Sequence, residues 1–301
     1  MTTRVGFFPQ NNSLWVLRHR GILERSLPDV AWVNLRDLES GERVDPRLGL
    51  PSLHGDHLFD GGYDFIGTGA TPPITAQGKG HDIVYVAISE PRHENGRLVT
   101  LRGNGITSPG DLRGRRVGLG HGSWQTTLVL LALEKAGLTW KDIEPVDVYD
   151  DAARRFLDGE FDVWVGSYPY LREVEAEAEL HDLVATETLF THRSLWFTGR
   201  EWAAAHPGEL RAIVEALQEA DRWTEAHPRE AAELFPGQTA EAWEHALVTR
   251  PWGLHPVSAE FVAEQQRAAD LYFASGLIDR EIRVADAVVP EINDIVQQSR
   301  N

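Results

Sequence analysis

Phe59-Asp-Gly-Gly-Tyr-Asp-Phe65 is echoed far downstream by Leu157-Asp-Gly-Glu-Phe-Asp-Val163. In each stretch a glycine turn closes a helix and an aromatic-Asp pair leads into a strand. That strand then runs to a glycine and a proline turn, at Pro72 or at Pro169. Two such units predict two similar α/β lobes. An aromatic-Asp pair is also a common way into an α/β strand, so a chance echo is the competing reading.

Outward from these units, strand-like runs alternate with helical periodicity. Strands are expected over 4–8, 31–35, 64–67, 83–89, 97–101, 116–119, 144–148, 163–166, 184–189 and 194–198. Ser13 precedes a helix over 14–25, and Thr71-Pro72-Pro73 opens a short one ending near Gly78. Ser123 precedes a helix over 124–136 and Asp150 one over 151–157. Hydroxyl and carboxylate side chains cap exposed backbone donors, and proline fits the first helical turn. Such alternation predicts largely parallel sheets with helices on both faces. From Glu201 onward the pattern is helical, over 202–224, 228–234, 240–249 and 259–275, with His-Pro and Pro-Gly breaks. Residues 36–56 read as a long surface loop before a helix near 57–61.

The 301 residues are 42% hydrophobic and 25% charged, the balance of a packed soluble protein. A formal charge of −17 argues against nucleic acid or an anionic membrane as partner. It leaves room for an anionic ligand, because a closed site attracts charge locally through backbone N–H groups. There is no cysteine, which removes disulfides, thiol nucleophiles and thiolate metal sites. The longest apolar run, 128–133, is far too short to span a bilayer. The first residues lack a leader pattern. The expected location is cytoplasmic if the chain is complete and extracytoplasmic if a leader has been removed.

In open α/β sheets, ligands bind beyond the carboxyl ends of strands, where loops feed helix starts. Four places fit: Pro9-Gln10-Asn11-Asn12-Ser13, Thr68-Gly69-Ala70-Thr71, Gly120-His121-Gly122-Ser123 and Ser167-Tyr168. Each helix start carries roughly half a positive charge, so several aimed at one cleft would hold an oxyanion. Singly, each is ordinary helix capping. Trp124, Trp164 and Trp196 fall where a ring could shield an organic tail. Gly118-Leu-Gly120-His-Gly122 lacks the G-x-G-x-x-G spacing of a dinucleotide turn. His54-Gly-Asp56-His57 matches no established metal spacing. His121 beside Ser123 lacks a nucleophile elbow. The expectation is therefore no cofactor, no metal and no catalytic residue.

The stretch Tyr63-Asp-Phe-Ile-Gly67-Thr-Gly-Ala-Thr-Pro-Pro-Ile-Thr-Ala-Gln77 resembles a segment of the aliphatic-sulfonate, nitrate and taurine-type solute-binding proteins of ABC importers. Asp111-Leu-Arg-Gly114-Arg-Arg-Val-Gly118, Leu133-Glu-Lys-Ala-Gly137-Leu, Phe161-Asp-Val-Trp164, His206-Pro207, His227-Pro228 and Glu264-Gln-Gln266 continue the likeness in collinear order. The resemblance implies a type II periplasmic-binding-protein fold, with two lobes of mostly parallel sheets joined by a two-strand hinge. It divides the chain into lobe I over 1–92, lobe II over 93–191 and a return to lobe I over 192–301. It also implies a monomer that closes on a small anionic, sulfonate-like ligand and works with an ABC permease. Gln10, Thr68, Ala70, Thr71, Gly122, Ser123 and Ser167 carry over as ligand contacts. Asn11, Asn12, His121, Trp124 and Tyr168 join them from the loops above.

Three features depart from the family pattern. No leader is seen, the 36–56 loop is longer than usual, and Gly166-Ser167-Tyr168 replaces the usual W-D-P. They keep a second class open, the cytoplasmic enzymes built on this fold, such as sulfinate desulfinases and thiamine-pyrimidine synthases. Both known mechanisms use cysteines absent here, so an enzyme would depend on acid–base groups such as His57 and His121.

Overall fold

The computed structural model describes residues 2–7, 11–34, 62–92, 96–148 and 151–300. Its strands are β1 (Arg4–Phe7), β2 (Ala31–Asn34), β3 (Phe65–Thr68), β4 (Ile83–Ser89), β5 (Gly96–Leu101), β6 (Arg116–Leu119), β7 (Glu144–Asp147), β8 (Val163–Ser167), β9 (Leu180–Ala185), β10 (Leu195–Gly199) and β11 (Leu254–His255). The helices before the second crossing are α1 (Asn12–His19), α2 (Thr71–Gly78), α3 (Trp124–Lys135), α4 (Ala152–Leu157) and α5 (Leu171–Glu177). After it come α6 (Arg200–Ala205), α7 (Pro207–Ala226), α8 (Pro228–Ala232), α9 (Ala240–Val248), α10 (Ala259–Ala274) and α11 (Pro290–Ser299). The loop expected over 36–56 and the helix near 57–61 lie outside the described residues.

Two sheets form, in the orders β11-β4-β10-β3-β1-β2 and β7-β6-β8-β5-β9. Aligned, they are one design: β2, β1, β3, β10 and β4 answer β7, β6, β8, β5 and β9. The described part of the echo, leading into β3 and into β8, thus takes equivalent places in the two sheets. The fold is the two-lobed one expected, and each sheet is mixed: most strands run in one direction, with the return strand antiparallel among them. β1 runs parallel to β2 and β3, and β6 to β7 and β8. β10 is antiparallel to β3 and β4, and β5 to β8 and β9. The cause is the crossing. The chain passes between sheets from β4 to β5 and from β9 to β10, and the arriving strand returns against the parallel ones.

One polar arrangement occurs in both lobes. Asp64, just before β3, accepts the Arg4 backbone N–H at 2.8 Å and the Arg4 guanidinium at 2.9 Å. Asp162, just before β8, accepts the Arg116 backbone N–H at 2.9 Å and its guanidinium at 2.8 Å. Return strands complete the pattern. Thr198 donates to the Asp64 carbonyl at 2.5 Å and Thr100 to the Asp162 carbonyl at 2.9 Å. Partial burial raises the pKa of Asp162, but the donors of Arg116 outweigh it and hold the carboxyl below its usual range.

Apolar periodicity fixes the layers. β4 (Ile-Val-Tyr-Val-Ala-Ile-Ser) is buried along its whole length, so it reads as an unbroken apolar run. α7 packs Leu210, Ile213, Val214 and Leu217 inward. The helix expected over 202–224 breaks at His206, which takes φ −130° and ψ 52°. Pro207 disfavours a helical conformation at the residue before it. The strand expected over 184–189 lies earlier, at Leu180–Ala185, because that segment pairs with β5 and the chain turns at Thr186–Thr188. β11, α5 and α11 were not foreseen. Among the described residues no helix is long and apolar enough to cross a membrane.

Asp64→Ala should remove the charge-assisted bonds of the first clamp and cost roughly 2 kcal/mol in urea unfolding. A change below about 0.5 kcal/mol would show that the clamp is incidental to stability.

Candidate functional site

Loops that follow strand ends of the two sheets meet, at residues 69–71 of one and 123–124 of the other. Asn11 caps α1, its side-chain oxygen accepting from Leu14 N at 3.0 Å. Gln10, expected beside it, lies outside the described residues. After β3, Thr68 donates its hydroxyl to the Gly69 carbonyl at 2.9 Å. The Ala70 carbonyl accepts from the Gln265 amide at 2.7 Å. On the second lobe, Ser123 caps α3 by accepting from Gln125 N at 3.2 Å, and donates its hydroxyl to Gly120 O at 2.6 Å.

Several expected residues meet across the lobes. Thr71 donates to the Ser123 carbonyl at 2.5 Å, and its hydroxyl stands 2.5 Å from that of Tyr272, itself 2.9 Å from Thr127. Burial pushes the Tyr272 hydroxyl pKa up, so it stays protonated in this seam. Trp124 lies at the centre of the contact. A Cβ at Gly69 would meet the Trp124 Cβ at 3.1 Å, and one at Gly96 would meet Trp124 Cη2 at 2.5 Å. Only glycine leaves room for the indole at Gly96. The Trp124 ring lies 4.3 Å from that of His192.

Other expected residues face elsewhere. The His121 ring stacks on Trp140 at 5.8 Å, away from the seam, and its backbone N–H is accepted by Asp147 at 3.1 Å. The Gly122 N–H is accepted by the Thr126 hydroxyl at 3.2 Å. The Tyr168 hydroxyl donates to Glu175 at 2.9 Å and accepts from Arg97 at 2.9 Å. Ser167 ends β8 opposite Gly96. Asn12 is buried and accepts from Arg250.

That last contact opens a cluster missed in the sequence. Arg92 and Arg250 are each only 9% exposed and Asp221 1%. The Arg92 backbone N–H binds the His192 carbonyl at 2.8 Å, and its guanidinium donates to Ser194. The Arg250 guanidinium also lies 4.4 Å over the Trp252 ring. Asp221 accepts from Gly253 N at 3.0 Å. Burial, then Arg250, depress the Arg92 pKa well below its ordinary value. Burial lowers Arg250 to about 10 and raises Asp221. The arginines sit beside prolines in Glu90-Pro91-Arg92 and Arg250-Pro251-Trp252, which read as exposed turns. Asp221 was detectable, since it falls on the apolar face of α7 with Leu217 and Ala220. Among the described residues no group of three potential metal ligands is found. His54, Asp56 and His57 lie outside them.

Residues 54–231, more than half of the chain, match the family described as NMT1/THI5 like. The chain belongs to this family. Among its relatives, a protein assigned as an aliphatic sulfonates-binding protein in Escherichia coli (strain K12) is 26% identical over 292 residues, covering 95% of this chain and 88% of that one. The alkanesulfonate-binding protein SsuA from Xanthomonas axonopodis pv. citri, solved bound to MOPS, superposes with a TM-score of 0.80 at 25% identity, covering 96% of this chain and 98% of that one. The desulfurization enzyme DszB shares the fold, with a TM-score of 0.66 at 16% identity over 100% of this chain and 99% of that one.

Thr71→Val should loosen the seam of this NMT1/THI5-like chain by about 1 kcal/mol and enlarge the ligand-free radius of gyration in X-ray scattering. An unchanged radius would mean that other contacts hold the lobes together. A second expectation concerns pH. Burial, then Arg92 and Arg250, push the His192 pKa well below the ordinary imidazole value. The unfolded chain takes up this proton below about pH 6.5, so His192 costs stability as pH falls through that value, up to about 1.4 kcal/mol per unit. His192→Asn should flatten the acid limb of stability against pH. An unaltered slope would assign that limb to other groups.

Proposed function

We propose that this protein binds a small organic anion, an organosulfonate first among them, in the cleft between its lobes as the solute-binding component of an ABC importer. The observation that carries the reading is the near full-length superposition on an alkanesulfonate-binding protein holding MOPS, itself a propanesulfonate. The inter-lobe seam of Thr71, Ser123 and Tyr272 supports it, because a ligand trapped between two lobes needs contacts that form when they close. In this reading lobe I spans 1–92 and 192–301, lobe II spans 93–191, and the partner is a permease. Of the expected ligand contacts, Asn11, Thr68, Ala70, Thr71, Ser123 and Trp124 keep a place beside the seam in this reading, whereas the side chains of His121 and Tyr168 are engaged with Trp140 and with Glu175 and Arg97.

Turnover is the competing reading, kept open by the fold shared with DszB. The chain has no cysteine, so the thiol chemistry that the desulfinase resemblance implies is not available to it. Binding without reaction is the better-supported function.

Calorimetric titration with alkane- and arenesulfonates, taurine and nitrate should give saturation near one ligand per chain. Chromatography of the same mixtures after prolonged incubation should return the ligand unchanged. Flat traces for every sulfonate would remove the ligand class. A sulfite or hydrocarbon product would replace binding with catalysis.

A further inference from the structure

The helix starts that would be expected to hold an anion have already used many of their donors. Gly120 N is accepted by the Gln125 side chain at 2.5 Å, His121 N by Asp147 at 3.1 Å, Gly122 N by Thr126 at 3.2 Å and Leu14 N by Asn11 at 3.0 Å. In α2, Pro72 and Pro73 carry no N–H to offer. An oxyanion placed there would compete with acceptors built into the fold.

The buried arginines are in the opposite condition. Neither Arg92 nor Arg250 forms an ion pair with a carboxylate among the described residues, and the Nε of each has no hydrogen-bond partner there. Their guanidinium bonds go to neutral oxygens, of Ser194 and of Asn12. Among the described residues, Asp221 is the carboxylate whose field reaches both. Among the described residues, two guanidiniums against one carboxylate leave an excess positive charge in a largely buried place. Such a charge is costly unless a counter-charge arrives. The cluster adjoins the cleft from two sides. Asn12 opens α1 at the carboxyl end of β1, and His192 bridges Arg92 to the Trp124 ring of the other lobe.

We propose that Arg92 and Arg250 form a preformed anion seat at the hinge end of the cleft, which takes the oxyanion group of the ligand while Trp124 covers its organic part. This rests on the reading of the cleft as an anion-binding site and names the groups that would meet the charge. A guanidinium presents a planar fork of donors that suits a sulfonate, sulfinate or carboxylate. The seat therefore selects an anionic head group and rejects its uncharged isostere.

The test combines affinity with ligand-free stability in the full chain. Butanesulfonate, benzenesulfonate and the matching uncharged sulfonamides would be titrated into wild type and into Arg92→Met, Arg250→Met and Arg92→Lys. Each Met variant should lose about 100-fold or more in sulfonate affinity, as for a truncated buried charge pair. Arg92→Lys, keeping the charge without the fork, should lose less, and the sulfonamides should not bind wild type measurably. Without ligand, both Met variants should melt higher than wild type, because an uncompensated buried charge has been replaced by an apolar chain of similar length. Sulfonate affinities within about threefold of wild type in both Met variants would overturn the seat and leave the proposed function standing. Lower melting in both, or failure of both to fold, would also overturn it, by making the arginines structural supports. If wild type binds no sulfonate, the proposed function fails, and ligand-free melting alone decides whether the excess charge exists.

Discussion

A carboxylate that gathers the backbone and guanidinium donors of a single arginine ties each lobe together. Arg4 with Asp64, and Arg116 with Asp162, join the start of one strand to the start of its parallel neighbour. Once these two strand starts are fixed, a shift of one residue in register would break several charge-assisted bonds at once. The return strand is fixed to the same point through Thr198 or Thr100. The strand ends that face the cleft follow from this, since their positions are set by where the strands begin. Cleft geometry is thus determined at the far edge of each sheet.

Electrostatics divides the molecule in two. Its formal charge of −17 surrounds a buried cluster in which, among the described residues, Arg92 and Arg250 stand against Asp221. The outer charge acts at long range, as a repulsion of like charge that salt screens. The inner charge acts at short range, where burial leaves little screening. Such a separation allows a strongly acidic protein to favour an anion in its cleft. His192, held neutral by burial and then by the same two arginines, adds shape there without adding charge.

How much of this the sequence disclosed depended on the kind of signal. The repeat, most strand positions, the capped helix start at Ser123 and the proline-opened one at Thr71 were legible, because local chemistry sets glycine turns, proline turns and caps. The antiparallel return strands were not, since periodicity records burial and not direction. β9 was misplaced by four residues because its first half, Leu180-His-Asp182, carries polar residues on a partly exposed strand, and only its pairing with β5 places it there. In the site, Thr71, Ser123 and Trp124 were found through their place at strand ends and helix starts. Tyr168 and His121 share that placement, yet their side chains are drawn to Glu175 and Trp140. Arg92 and Arg250 gave no signal, because only tertiary packing buries a charged residue beside a proline.

The crossing of the chain also sets an order of assembly. β10 lies between β3 and β4 in the first sheet, although it is made only after every strand of the second. On a ribosome the first lobe must therefore wait with a gap in the middle of its sheet, while the second completes its own from consecutive chain. The lobe that begins first finishes last. During that interval the inner edges of β3 and β4 have no neighbour from their own chain, and this is when the nascent protein is most exposed to pairing with the wrong strand.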